Sequence, residues 1–457
     1  MLQTRAGCCL QPRRNGRQPD LIEAAGPLHS DHSPEREAPR RGIWALLLGL
    51  APLAALRGAE LVGRFGCFAL AAVLLPAAEL ATFFLALAWL ALASALARVG
   101  LDRAATRHVA AALSIGDVAQ ARAAAGRALR ISAGGGLALA ALTLLAAPLA
   151  APWLAGGYTG LAPALLACGV ILPVFTMTYV LGGILVGTRR PGLGQLVQTT
   201  IWPLLLIVAL LLGMRSAAGL LLLVGLTQLV TGLAGWWLLR WPPGSAQGTA
   251  QGATATSGLL RDGVPLMALD LVGIGMVNLP LLVLGHVGSA ADVAGFGLAQ
   301  RLFMLPWTII MTIAALMAPR LAAAAADRQA LGQASRQAML LSRCTALPAA
   351  LLLAAAPHFW LSLFGPGFTV AAGALTVLAV AQALHAGWAV QDTVLAMAGL
   401  GDVLRRIVLL QGGLIVLGSA VLVPTWGLQG AALAVVIPLL VGAGACWLAV
   451  RRHLAAG

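Results

Sequence analysis

The sequence predicts an all-α polytopic membrane protein of about twelve transmembrane helices, arranged as two parallel six-helix repeats. Three observations carry this prediction. The 457-residue chain is 60% hydrophobic and 10% charged, with a mean hydropathy of +0.91, so its bulk belongs in lipid rather than around a soluble core. Its apolar runs are roughly 20 residues long, enough to cross a bilayer. Its two halves echo each other under a shift of 213 residues.

Residues 1–42 are rich in Arg, Pro and acidic residues and lack the apolar stretch of a signal peptide. They read as a disordered cytoplasmic extension, part of it a candidate for a mis-assigned start. Apolar runs broken by Pro, Gly and Arg then place spans near 51–75, 79–99, 131–152, 162–187, 193–213 and 217–239. These six form an N-lobe, 43–240. A polar, Gly/Ser/Thr-rich stretch, WPPGSAQGTAQGATATSGLLRDG (241–263), reads as a cytoplasmic linker. A C-lobe, 264–457, follows, with spans near 264–287, 292–318, 340–357, 370–397, 406–424 and 428–450.

The formal charge is +14, and every one of the 29 basic residues is Arg. With both termini inside the cell, 25 of them fall in cytoplasmic segments, including Arg98, Arg103, Arg107 and the 189–190 pair. Only Arg215 falls in an outside loop, while Arg57, Arg64 and Arg301 fall within spans. This is the positive-inside pattern, so the basic excess orients a membrane protein in a bacterial cytoplasmic membrane and does not point to nucleic acid. The cysteines, at 8, 9, 67, 168, 344 and 446, have the spacing of neither a disulfide framework nor a zinc site. No Walker A, HExxH or phosphate-cradling Gly loop occurs, so ATP-driven transport and metalloprotease chemistry are excluded as functions of this chain alone. The outside loops are short, unlike the larger extramembrane region expected of a membrane glycosyltransferase or polymerase.

Under the 213-residue shift AELATFFLALA (78–88) lies on ADVAGFGLAQR (291–301), pairing Glu79 with Asp292 and Phe83 with Phe296, and Arg107 falls on Arg320. APWLAGGYTGLAPAL (151–165) echoes FWLSLFGPGFTVAAGAL (359–375) with a small change of register. Two parallel six-span repeats are an architecture that transporters use to rock around a central site.

The stretch LRGAELVGRFGCFALAAVLL (56–75) places Arg57, Glu60 and Arg64 at the head of an apolar run. Two placements are open. The charges flank a span that begins at Phe65, or they lie inside the first span, as the repeat favours. Positions i, i+3 and i+7 share one helix face, and Glu60 precedes Arg64 in the favourable i, i+4 order. An ionised side chain at mid-bilayer costs roughly 2.5–3.5 kcal/mol, so that face is expected to look into protein or water. Its net positive charge suits an anionic group such as a phosphate, which Arg grips with two N–H donors. Arg301, about 15 Å into its span at 1.5 Å per residue, is a second substrate candidate.

Asp270 is the shifted counterpart of Arg57. Either the two form an inter-lobe pair that makes and breaks between states, or Asp270 is solvated near the cytoplasmic end. His385 and Asp392, seven apart on span ten, share a face and suggest proton coupling, although a merely polar lumen is the favoured alternative. Gln195, Gln198, Gln228, Asn278 and Gln382 suit sugar hydroxyls or interhelical hydrogen bonds equally well.

LLPAAELATFFLALAWLALASALARVGLDRAATRHVAA (74–111) resembles the first-loop and second-span signature of polysaccharide flippases in the multidrug/oligosaccharidyl-lipid/polysaccharide exporter superfamily. Glu79, Gly100, Leu101, Asp102 and Arg107 fit its pattern, while Ala81 replaces the usual Gly. ADVAGFGLAQRL (291–302) is similar to the entry of span eight, with Arg301 at its customary basic position, and LTVLAVAQALHAGWAVQDTVLAMAGLGDVLRR (375–406) is similar to span ten and its exit. Asn278 stands where many relatives carry Asp.

The resemblance implies a V-shaped, two-lobed transporter. It would move a polyprenyl-pyrophosphate-linked oligosaccharide outward by alternating access, for cell-surface polysaccharide such as lipopolysaccharide or exopolysaccharide. Arg57, Arg64 and Arg301 would attract the pyrophosphate, and Glu60 and Asp270 would serve as charge partner or gate. No cofactor is implied. Coupling to H+ or Na+ through His385 and Asp392, or removal of product outside, would bias the cycle. Expected partners are the lipid-linked glycan, the bilayer, and the polymerase and glycosyltransferases of the same pathway. The alternatives are a multidrug/cation antiporter of the same superfamily and a lipid II flippase.

Overall fold

A computed structural model describes residues 40–154, 160–241 and 254–455, with side chains described at 56, 58–152, 160–241 and 258–455. The chain divides into Met1–Leu50 and Ala51–Gly457. The first unit contributes only the start of helix α1 to the described residues, and all that follows concerns the second.

The described residues are helical throughout their regular structure: α1 (Arg40–Leu74), α2 (Ala77–Arg98), α3 (Leu101–Ser114), α4 (Val118–Leu154) and α5 (Leu161–Gly187), then α6 (Pro191–Leu211), α7 (Ala217–Leu238), α8 (Thr254–Val287), α9 (Ala290–Ala323) and α10 (Arg328–Ala355), then α11 (Pro366–Gly387), α12 (Gln391–Met397) and α13 (Gly401–Ala455). Ten of these are long and apolar enough to cross a membrane. At 1.5 Å per residue the 55-residue α13 would run for about 80 Å, far beyond a hydrocarbon core of roughly 30 Å. It breaks at Gly427 (φ 52, ψ −125) into two passes. Among the described residues that makes eleven passes, and α1 is the twelfth long helix. Leu145, Leu149, Leu212, Leu233 and Trp237 are largely exposed, as lipid-facing side chains of a multi-pass protein are.

Among the boundaries that differ from the sequence expectation, two show why. α4 begins at Val118, well before the apolar run at 131, because AQARAAAGRALR is rich in strong helix formers and needs no lipid to stay helical. Of the expected linker, 242–253 lie outside the described residues, and its last ten residues already belong to α8. Of the expected N-terminal extension, 1–39 lie outside them too.

Close packing rests on small residues, as it must where lipid leaves no hydrophobic drive between helices. The amphipathic α3 buries Leu101, Ala104, Ala105, Val109 and Ala112 and lies against α5. A Cβ at Gly183 would stand 2.2 Å from the Asp102 carbonyl, and Thr106 donates to the Gly183 carbonyl at 2.7 Å. Within α6 a π-turn, Leu196–Thr200, spoils the usual i→i−4 ladder. Its carbonyls are taken up by α7: Gln228 Nε2 donates to Gln198 O at 2.9 Å and Thr231 Oγ1 to Val197 O at 3.2 Å. Gln198 in turn donates to Tyr179 O at 2.7 Å. These amides therefore serve the interhelical alternative.

α2 is the hub of the fold, packed against α5, α8 and α9. Its first turn carries Glu79, which accepts from the Ala217 N–H at 2.7 Å and so satisfies the start of α7. The matching Asp292 forms a capping box with Ser289 at the start of α9.

Candidate functional site

α1, α2 and α9 converge on a central cavity of about 440 Å³, lined on its other sides by α5, α6, α7 and α8. Its charged lining residues are Arg64, Arg98 and Arg301, with no carboxylate among the lining residues. Each guanidinium rests on an aromatic face. Arg301 lies 4.4 Å from the ring centre of Phe68 and 5.4 Å from that of Phe84, Arg98 4.7 Å from Tyr179, and Arg64 5.6 Å from Trp202. The Nε of all three is buried without a hydrogen-bond partner among the described residues. Aromatic backing holds a guanidinium by its face and leaves its edge donors unspent. The arrangement is one of fixed, under-used cationic donors, the chemistry that an oxyanion accepts bidentately.

Arg64 and Arg301 stand where the sequence expects them, in a cavity within the fold rather than facing lipid. The Arg57 side chain lies outside the described residues. Glu60 is buried, 3.7 Å from Arg64, and accepts from Gln195 Nε2 at 2.9 Å. It neutralises Arg64 from behind and does not line the cavity.

Arg98 was missed. It counts as a cytoplasmic charge by its place at the end of an apolar run, yet it is 5% exposed. Its side chain is steadied by Ser94 at 3.4 Å and Asp102 at 3.9 Å. The i, i+4 spacing of Arg98 and Asp102 was the available signal.

Asp270 corrects its expectation. Its partner is Arg103 on α3, at 2.6 Å. The pair does join the two halves of the chain. Beside it His108 and Asp262 approach to 3.1 Å, and the backbones themselves meet at this end. Val99 and Gly100 are both left-handed (φ 50 and 68), and a Cβ at Gly100 would stand 2.3 Å from Gly263 O. At the other end of the cavity Phe84 of α2 presses on Gly297 of α9, where an added Cβ would approach its ring to 2.2 Å. The halves are thus in contact on both sides of the arginines.

His385 and Asp392 do not share a helix face. α11 ends at Gly387, Val390 is left-handed at φ 70, and Asp392 lies in the first turn of the separate α12. Both nonetheless line a second cavity of about 280 Å³, with Trp307, Trp388 and Gln411. His385 stacks on Trp307 at 5.5 Å, and the exposed Asp392 accepts from its neighbour's N–H, Thr393, at 2.8 Å. Asn278 lines the central cavity but donates to its own helix at Ile274 O, 2.7 Å.

The MatE family pattern matches residues 272–405, and no curated protein matches. Among solved structures, the chain is 20% identical to an inward-facing multidrug resistance MATE family transporter of the MOP superfamily. That likeness covers 87% of this chain and 95% of that one, at a TM-score of 0.72. An outward-facing conformation of such a transporter agrees at 0.57, with 21% identity over 89% and 96% of the two chains. The lipid II flippase MurJ in an inward closed conformation agrees at 0.66, with 12% identity over 90% and 87%. The chain therefore has the two-lobed, twelve-helix fold of the MATE transporters of the MOP superfamily.

Proposed function

We propose that this protein is a flippase that carries a polyprenyl-pyrophosphate-linked oligosaccharide across the bacterial cytoplasmic membrane, for assembly of a cell-surface polysaccharide. The observation that supports this reading is the charge of the central cavity: Arg64, Arg98 and Arg301 with no lining carboxylate. An ion in a low-dielectric cavity must be matched by opposite charge; Glu60 and Asp102 offset Arg64 and Arg98 from outside the lining, and Arg301, held on Phe68 and Phe84, is left to favour an anionic cargo over a cationic one. The pyrophosphate is held there while the glycan rides in the polar part of the lumen. The two lobes, 43–240 and 264–457, rock about this site with both termini cytoplasmic. The transporter carries out no covalent step, and a proton or sodium gradient or consumption of product biases its direction.

The experiment is outward movement of a pyrophosphate-linked oligosaccharide in proteoliposomes containing wild-type protein or Arg64→Ala, Arg98→Ala or Arg301→Ala. Loss of flipping in folded variants supports both cargo and site. Wild-type protein that moves no such lipid but exports organic cations overturns the reading. The cation antiporter is the second reading, favoured by the other cavity, where Asp392 lies with Trp307 and Trp388, a carboxylate with aromatic faces suited to an organic cation.

A further inference from the structure

A third cavity, of about 670 Å³, lies between α1, α9 and α10, within the range of roughly 300–1,000 Å³ that ligand sites span. Its walls are apolar: Phe65 and Ala69 of α1, Leu302 and Leu305 of α9, Leu353 of α10, and Phe364 beyond it. Even the indole N–H of Trp360, another wall residue, is spent on Leu352 O at 3.0 Å. Val73, 62% exposed, and Leu352, 59%, stand at its rim, so it faces the lipid side of the protein.

This cavity adjoins the arginine site, from which it is separated by two shared wall residues. Phe65 and Leu305 line both. Phe65 follows Arg64 in the chain, and Leu305 lies one helical turn, about 6 Å, from Arg301. A cationic chamber thus borders an apolar one across the Phe65 and Leu305 side chains, and one ligand that fits both has an anionic head joined to a hydrocarbon tail. The wall residues lie late in α1 and α10 and early in α9, which the proposed orientation places in the outer half of the membrane.

We infer that this apolar cavity holds the first isoprenoid units of the lipid-linked substrate while its pyrophosphate occupies the arginine site, on the outer-leaflet side of the transport path. The inference rests on the flippase reading and deepens it. The tail next to the head is then gripped by protein rather than left wholly in lipid, and the substrate is selected as a lipid and not only as a pyrophosphate.

The test uses farnesol bearing a terminal photoreactive group, a hydrocarbon probe without phosphate, in vesicles of phosphatidylethanolamine and phosphatidylglycerol containing the full chain. Adducts are expected on the cavity-lining segments of α1 and α10. Polyprenyl pyrophosphate is expected to displace them at a concentration roughly tenfold or more below that of the matching polyprenol, an advantage that Arg301→Ala removes. Ala69→Trp, or Ala349→Trp from the opposite wall if the first fails to fold, fills the cavity and should abolish the adducts. Adducts spread evenly over lipid-facing helices such as α4 and α7, or not displaced by polyprenyl pyrophosphate, would mean ordinary bilayer lipid and overturn the inference. If polyprenol and polyprenyl pyrophosphate displace the probe equally from wild-type protein, the tail cavity stands and the anionic-head reading fails.

Discussion

Arg103 on α3 and Asp270 on α8 meet at 2.6 Å, the carboxylate largely covered and the guanidinium largely exposed. The pair ties the first half of the chain to the second at the end of the central cavity where α8 begins.

Removing one partner leaves Asp270 unpaired in a poorly solvated place. Arg103→Ala is therefore expected to weaken the contact between the halves by about 1 kcal/mol after solvent screening on the Arg side. The expected signature is roughly fivefold faster labelling of a cysteine placed at Met267, beside the crossing. The exchange Arg103→Asp with Asp270→Arg should restore protection, and failure of that rescue would show the pair to be incidental.

Gly100→Ala should be far more damaging than Gly116→Ala. Both glycines are left-handed, at φ 68 and 78, but a Cβ at Gly116 meets open space while one at Gly100 would stand 2.3 Å from Gly263 O. The strain of a left-handed alanine, about 1 kcal/mol, is common to both. The clash adds on the order of 1–3 kcal/mol at Gly100 alone. Thermal unfolding in detergent compares the two, and equal losses would refute the backbone crossing of α2–α3 on α8.

Arg98→Lys is expected to lower pyrophosphate binding at least about tenfold, although charge is kept. A lysine has no planar fork to bind an oxyanion at two points or to lie flat on Tyr179. Isothermal titration with inorganic pyrophosphate measures it. Unchanged affinity would remove Arg98 from the site.

Asp392→Asn is expected to leave transport and its pH dependence intact, since Asn still accepts from the N–H of Thr393 at the start of α12. Asp392→Ala, at an exposed position that does not cap α12, should change stability by no more than about 0.5 kcal/mol. A flipping rate that loses its dependence on the proton gradient in the Asn variant would instead restore the coupling role expected from sequence.

Val287→Cys, at the exposed end of α8, is expected to react with a membrane-impermeant maleimide applied outside intact cells when Cys344 is replaced by Ser. Reaction only after permeabilisation would invert the proposed orientation.

The sequence by itself determined the twelve passes, the two repeats and the burial of charge in α1 and α9. The reason is that a membrane helix satisfies its backbone within one segment, so length, hydropathy and Arg placement are local signals. It also exposed Arg64 and Arg301, because an ionised group deep in an apolar run stands out against its neighbours.

Tertiary structure alone decided which charges work together. Arg98 sits at a run's end, where sequence assigns it to the membrane surface; the left-handed pair Val99–Gly100 turns the chain there and the packing of α2 against α5 brings the side chain over Tyr179 into the cavity. His385 and Asp392 look like one helix face, but α11 ends at Gly387 and Val390, a β-branched residue held at φ 70 by its surroundings, turns the chain before α12, which one glycine in an apolar run does not by itself announce. Asp270 found Arg103 rather than a counterpart at the same depth, since ion pairs form between groups that packing brings within a few ångströms and no periodicity within one helix specifies its neighbour.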